Sequence, residues 1–183
     1  MLRAARIRFE AVPAAVDEAA VKQAMLAEAA PPRDIADALA EFKARRVAGR
    51  LPGALVLGAD QVLACQGRMF DKPADLGEAR AQLVALRGLT HDLHAAAVVF
   101  EDAQPVWRHV GRAQLTMRPF SDAFLDAYLA EHGDSLLDTV GGYRLEDGGA
   151  QLFSRVQGDL FSILGLPLLE LLAFLRTRGV VLE

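Results

Sequence analysis

Asp60, Lys43 and Lys72 carry the charge pattern that phosphate chemistry needs. Asp60 closes an apolar run, Ala54-Leu55-Val56-Leu57-Gly58-Ala59, and Lys72 lies beyond the following turn. A carboxylate at the end of a buried strand can hold a divalent ion or take a proton from a water, and lysines neutralise phosphate oxygens. The glycine pairs Gly141-Gly142 and Gly148-Gly149 let backbone approach such a ligand closely. Each residue also has an ordinary structural reading: Asp60 in a turn, Lys72 as a solvated charge before Pro73, Lys43 as a cation near a helix C-terminus. His91 and His94, three apart in a strand, face opposite ways and make a poor metal pair. Ser135, Ser154 and Ser162 lack the histidine and acid of an activated nucleophile. The single Cys65 has no partner for a disulfide and reads as core, while Glu18 and Glu146 read as surface acids beside loops.

The elements that must position these groups follow from periodicity and caps. Ile7, Phe9 and Val12 suggest a short half-buried strand. A helix starts at Asp17-Glu18, and a second, after Pro31-Pro32, repeats Ile35, Leu39 and Phe42 and puts Lys43 near its end at Gly49. The run Ala54–Ala59 reads as a strand covered on both faces, with Asp60 at its C-terminal end. A hairpin through Val62, Leu63 and Cys65 turns at Gln66-Gly67 and returns through Phe70. Asp75 and Glu78 form a capping-box pattern ahead of Ala79, Leu83 and Leu86. Two β-like stretches, Thr90–Phe100 and Val106–Met117, predict a long antiparallel hairpin; Ser121 caps a helix that Gly133 closes. A strand near Gln151–Val156, a helix after Pro167 and a final Val180-Val181 strand complete one α/β domain with a mixed sheet.

Composition narrows the function classes. With 183 residues, 52% of them apolar and 24% charged, the chain can bury a core and fold as one domain spanning 1–183. A net charge of −4, with basic residues scattered among acids, argues against broad nucleic-acid binding. The apolar runs are too short to span a bilayer and no signal peptide is evident, so the cytoplasm is expected and a membrane is not.

Six motifs in order, Phe42-Lys43-Ala44, Gly58-Ala59-Asp60-Gln61-Val62, Asp71-Lys72-Pro73, Leu86-Arg87-Gly88 with His91, Gly141-Gly142-Tyr143 and Gly165-Leu166-Pro167, resemble the Maf family of nucleoside triphosphate pyrophosphatases. The resemblance runs from about Phe9 to Leu175. It implies an elongated mixed β-sheet flanked by helices with a nucleotide-binding cleft, of the Maf and inosine triphosphatase type. It also implies cleavage of a nucleoside triphosphate between its α and β phosphates, with Mg or Mn. Carried over to this sequence, Asp60 accepts the proton of the attacking water or binds the metal, and Glu18 assists at metal or water. Lys43 and Lys72 bind the triphosphate, with Lys72 beside the catalytic groups, and Gln61 and Glu146 shape the base and phosphate sites. A homodimer is the expected assembly.

Three departures qualify that picture. Family members open with a strand and a Ser-x-Ser-x-x-Arg phosphate loop, which has no match here; Arg3 and Arg6 do not take its role. Either the start was assigned too late or this chain lacks a sheet edge and part of the site. Asp60-Gln61 and Asp138-Thr139 stand where many relatives have Asp-Thr and Asp-Lys, and Glu146 where many have glutamine. That combination is similar to the branch acting on 7-methyl-GTP rather than on dTTP and UTP. The alternative reading is a nucleotide-binding or cell-division-associated protein without turnover, in a family also linked to septum formation.

Overall fold

Caps set where the helices begin. A computed structural model describes residues 1–182. In helix α1 (Glu18–Ala27) the Asp17 carboxylate accepts from the Ala20 N–H at 3.0 Å, filling one of the bonds the first turn leaves open. Helix α2 (Pro32–Ala48) starts on proline, where the missing N–H costs nothing, and buries Ile35, Leu39, Ala40, Ala44 and Val47 along one face. In α3 (Leu76–Leu86) the capping box is reciprocal: Asp75 accepts from the Glu78 N–H and the Glu78 side chain from the Ala74 N–H, both at 2.8 Å. Ser121 caps α4 (Asp122–His132) in the same way.

The strands are β1 (Val56–Cys65), β2 (Arg68–Phe70), β3 (Thr90–Glu101), β4 (Gln104–Met117) and β5 (Phe153–Gln157), in the sheet order β2-β1-β3-β4-β5. Antiparallel pairing sets Leu63 opposite Phe70 in β1 and β2, and Gln114 opposite Gln157 in β4 and β5. The predicted hairpin of β3 and β4 forms, turning at Asp102 and Ala103, both with positive φ. Two 3-10 turns, Gly133–Leu136 and Gly148–Leu152, precede β5, and helices α5 (Leu160–Ile163) and α6 (Leu168–Thr177) follow it. The class is α/β, as the sequence suggested.

The chain folds as two compact units. One contains Met1–Gln61, His94–Gly111 and the chain from Asp159 onward, and the other contains Val62–Leu93 and Arg112–Gly158. In the first, Ala97 and Val99 of β3 pack with Leu166, Leu168, Leu171 and Leu175, and Trp107 stacks on Phe174 with ring centres 5.4 Å apart. Burying each such leucine contributes about 1.5–3 kcal/mol. In the second, Leu83, Leu86, Leu93, Leu115 and Leu125 are buried, as is the free thiol of Cys65.

Three sequence expectations are corrected. Residues 7–12 form no strand: Leu2, Ala5 and Ile7 instead leave a hydrogen-bonded turn to pack on the Leu166–Leu175 cluster, and Phe9 stays 44% exposed. The Val180-Val181 strand is replaced by a helix stop, in which the Val180 N–H reaches the Leu175 carbonyl and that of Gly179 reaches Arg176. Asp60 does not end a strand, because β1 continues through it to Cys65 and places it mid-strand.

Candidate active site

The close approach of α2 to β1 builds the site. A Cβ on Gly58 would stand 2.2 Å from the Ala40 carbonyl oxygen and 2.6 Å from the Ala44 nitrogen, so only glycine lets the helix backbone lie this near the strand. One turn of α2 then projects Lys43 toward Asp60, two residues beyond Gly58. The Lys43 ammonium donates to Asp60 Oδ1 at 2.6 Å and pairs with Glu18 Oε1 at 2.9 Å, so one cation bridges two carboxylates from α1 and β1. The Asp60 side chain is only 8% exposed, and its second oxygen, Oδ2, is buried without a hydrogen-bond partner. A buried carboxylate oxygen left unpaired is costly, and such atoms mark places where a ligand, ion or water completes the shell.

The electrostatics follow. Burial pushes the Asp60 carboxyl above the usual carboxylate range, outweighing the opposing pull of Lys43. Burial alone would lower Lys43, but its hydrogen bonds to Asp60 and Glu18 prevail and hold the ammonium above its ordinary value. Lys22, one turn beyond Glu18 on α1, also acts on Asp60 and was missed in the sequence; the Glu18 and Lys22 spacing of four was the available signal. A cavity of about 370 Å³ opens beside the cluster, lined by Glu18, Lys43, Val47, Leu57, Gly58 and Ala59.

The other sequence candidates stand apart from this triad in their roles. The Gln61 amide nitrogen donates to the carbonyls of Ser162 and Ile163 at 3.0 and 2.9 Å, committing it to the end of α5. Lys72 and Glu146 belong to the other unit, both exposed; Glu146 lies 3.9 Å from Arg144. In that unit His91, 1% exposed, hydrogen-bonds the Tyr143 hydroxyl at 2.8 Å, and burial lowers it to about 4, which favours the neutral ring. Gly141 has φ +80°, and a Cβ there would meet Leu63 at 2.6 Å, which fixes the glycine before Tyr143.

Among the described residues no group of three or more His, Cys, Asp or Glu side chains could cage a metal ion. Glu18 and Asp60 still fit one: magnesium commonly takes one or two carboxylates and completes its shell with waters and substrate phosphates. The unpaired Asp60 Oδ2 is a hard oxygen donor of that type.

The fold is an α/β sheet in which a carboxylate of β1 and one of α1 are bridged by a lysine of α2 beside a cavity. The model of the family described as Maf-like protein matches residues 1–178. A protein of Ruegeria pomeroyi named nucleoside triphosphate pyrophosphatase is 56% identical over 166 residues, covering 91% of this chain and 83% of its own. One of Caulobacter vibrioides with the same name is 55% identical over 181 residues, covering 99% and 90%. The nucleoside triphosphate pyrophosphatase 1 of Jannaschia sp. is 51% identical, covering 99% and 91%. The chain belongs to the Maf-like family.

Proposed function

We propose that this chain is a nucleoside triphosphate pyrophosphatase that hydrolyses its substrate to the nucleoside monophosphate and pyrophosphate. The observation that carries the reading is the Asp60 carboxylate, almost wholly buried, held by Lys43 through one oxygen and left open at the other. A carboxylate whose affinity for protons is raised by burial is a better acceptor for the proton of an attacking water. Glu18 supports that acceptor across Lys43, and the lysine offers positive charge to phosphate oxygens. By the family resemblance Lys72 would supply a further cation for the triphosphate, and Gln61 and Glu146 would shape the base and phosphate sites. Asp60 and Glu18 would hold Mg or Mn, which when bound neutralises the charge that builds on the phosphates.

The Asp60-Gln61 pair with Glu146 favours a modified purine such as 7-methyl-GTP over dTTP and UTP, in a cytoplasmic nucleotide-clearing role and, by family resemblance, as a homodimer. The test is pyrophosphate release with Mg or Mn across 7-methyl-GTP, GTP, UTP and dTTP, for the wild type and Asp60→Asn. Release that the variant loses is the expected result. A folded wild-type chain that binds these nucleotides and releases nothing would replace this reading with the binding-only, cell-division-associated one.

A further inference from the structure

A second concave surface runs along the C-terminal half of α2. It has a volume of about 700 Å³ and is lined by Ala15 and Val16 on one side and by Phe42, Arg45, Arg46 and Arg50 on the other. Three arginines and no acidic residue line it, in a chain of net charge −4. Attraction to the helix dipole accounts for Arg45 and Arg46 in the last turn of α2. It does not account for Arg50, which lies past the helix and donates across to the Pro13 carbonyl at 3.2 Å. Arg45 is engaged by Glu41 and lies 5.9 Å over the Phe100 ring, whereas Arg46 has no ion pair among the described residues. Phe42 is 43% exposed, and Ala15 is held at φ +49°, a strained conformation for a residue with a Cβ. Ala15 and Val16 also line the cavity that contains Glu18 and Lys43, so groove and candidate site share a wall.

We propose that this groove is a docking subsite for a phosphoanion: free pyrophosphate, or the terminal phosphates of a nucleotide held at the neighbouring site. The planar donor fork of a guanidinium matches phosphate oxygens, and Arg46 has no ion pair among the described residues to give up on binding one. The groove's charge and shape stand alone; the choice of phosphate among oxyanions rests on the hydrolase reading. Calorimetric titration of inorganic pyrophosphate into the full chain tests it. Arg46→Ala weakens binding about tenfold, Arg46→Lys weakens it less, and Arg33→Ala, an exposed arginine near the other end of α2, leaves it unchanged. Circular dichroism verifies the fold of each variant. Titration with an α,β-methylene nucleoside triphosphate separates the two sources: Arg46→Ala weakens it only where the groove takes the nucleotide's own tail. Pyrophosphate binding abolished by Lys43→Met and untouched by Arg46→Ala would overturn the groove and spare the active-site reading. Absent binding, or equal loss in Arg33→Ala, overturns the groove as well. Arg46-dependent binding in a chain that hydrolyses no triphosphate keeps the groove and removes the hydrolase reading.

Discussion

One added methyl group at Gly58 tests whether α2 and β1 lie as close as the site requires. A Cβ there stands 2.2 Å from the Ala40 carbonyl oxygen, 2.6 Å from the Ala44 nitrogen and 2.9 Å from the Ala44 Cβ. The first contact is about 1 Å shorter than an ordinary C···O approach of about 3.3 Å. Two of the three atoms are helix backbone, which cannot swing aside as a side chain can, so Gly58→Ala must lift α2 off the strand. Overpacking costs about 1–3 kcal/mol, and yielding backbone puts this variant near the top, at about 3 kcal/mol. At about 2–4 °C per kcal/mol for a chain of this length, Tm falls by about 6–12 °C. Lys43 rides on α2 between the two alanines, so the same displacement stretches its 2.6 Å contact with Asp60. A misplacement of about 1 Å can cost about a hundredfold in rate. Scanning calorimetry and pyrophosphate release read the two effects. A Tm within about 2 °C of the wild type, or an unaltered rate in a destabilised variant, would refute the coupling of close packing to site geometry.

Further perturbations separate function from stability. Asp60→Asn lowers turnover by about 10²–10⁴-fold without lowering Tm. Because burial raises the folded-state pKa of Asp60, its contribution to stability is full below the unfolded value of 3.8 and lost as pH rises through the folded one, and asparagine avoids that loss. Retained turnover, or a marked fall in Tm, would contradict it. Lys43→Met leaves the buried carboxylate without its cation and costs about 3 kcal/mol in urea unfolding; a neutral result would mean that the pair contributes little to the fold. His91 is held at about 4 against 6.5, so its contribution is present above 6.5 and lost as pH falls toward 4. The loss is about 1.4 kcal/mol per pH unit. Unfolding measured from about pH 7 to about pH 5 therefore shows a shallower slope in His91→Gln, and parallel slopes would disprove it. Tyr143→Phe strands the His91 ring nitrogen and costs about 1–2 kcal/mol, detectable by the same unfolding.

Local chemistry made much of the fold legible. Asp17, Asp75 and Ser121 cap the helices that their side chains predicted, and the turn at Asp102-Ala103 closes the long hairpin, because caps and turns depend on neighbours in sequence. The misread ends show what pattern alone lacks. Ile7 and Val181 carry apolar side chains that tertiary packing claims from turns, and nothing in an alternating pattern says whether a strand partner exists. Asp60 was read as a strand end because a charge after an apolar run usually marks one; here Lys43, seventeen residues earlier, compensates it, so the strand passes through. Asp60 and Lys43 were named from their residue types and positions and Glu18 from the family resemblance, and the fold brings all three together. That Lys43 bridges both carboxylates, and that Gln61 is tied to α5, depend on contacts far apart in sequence.

Under the proposed function, the same few residues of β1 serve packing and chemistry, and the two demands pull against each other. Gly58 gives up side-chain burial so that α2 can descend onto the strand, and that descent gives Lys43 its reach. Asp60 gives up solvation: a carboxylate placed mid-strand loses water that one lysine replaces at a single oxygen. A sequence selected for stability alone would place an apolar residue at position 60 and fill the cavity beside it. An unsatisfied oxygen beside a cavity is what the proposed chemistry requires, and cores usually eliminate such groups. Gln61 marks the boundary of that compromise: one residue past the buried carboxylate of Asp60, its amide fastens α5 through two carbonyls, so the strand is again bound into the fold.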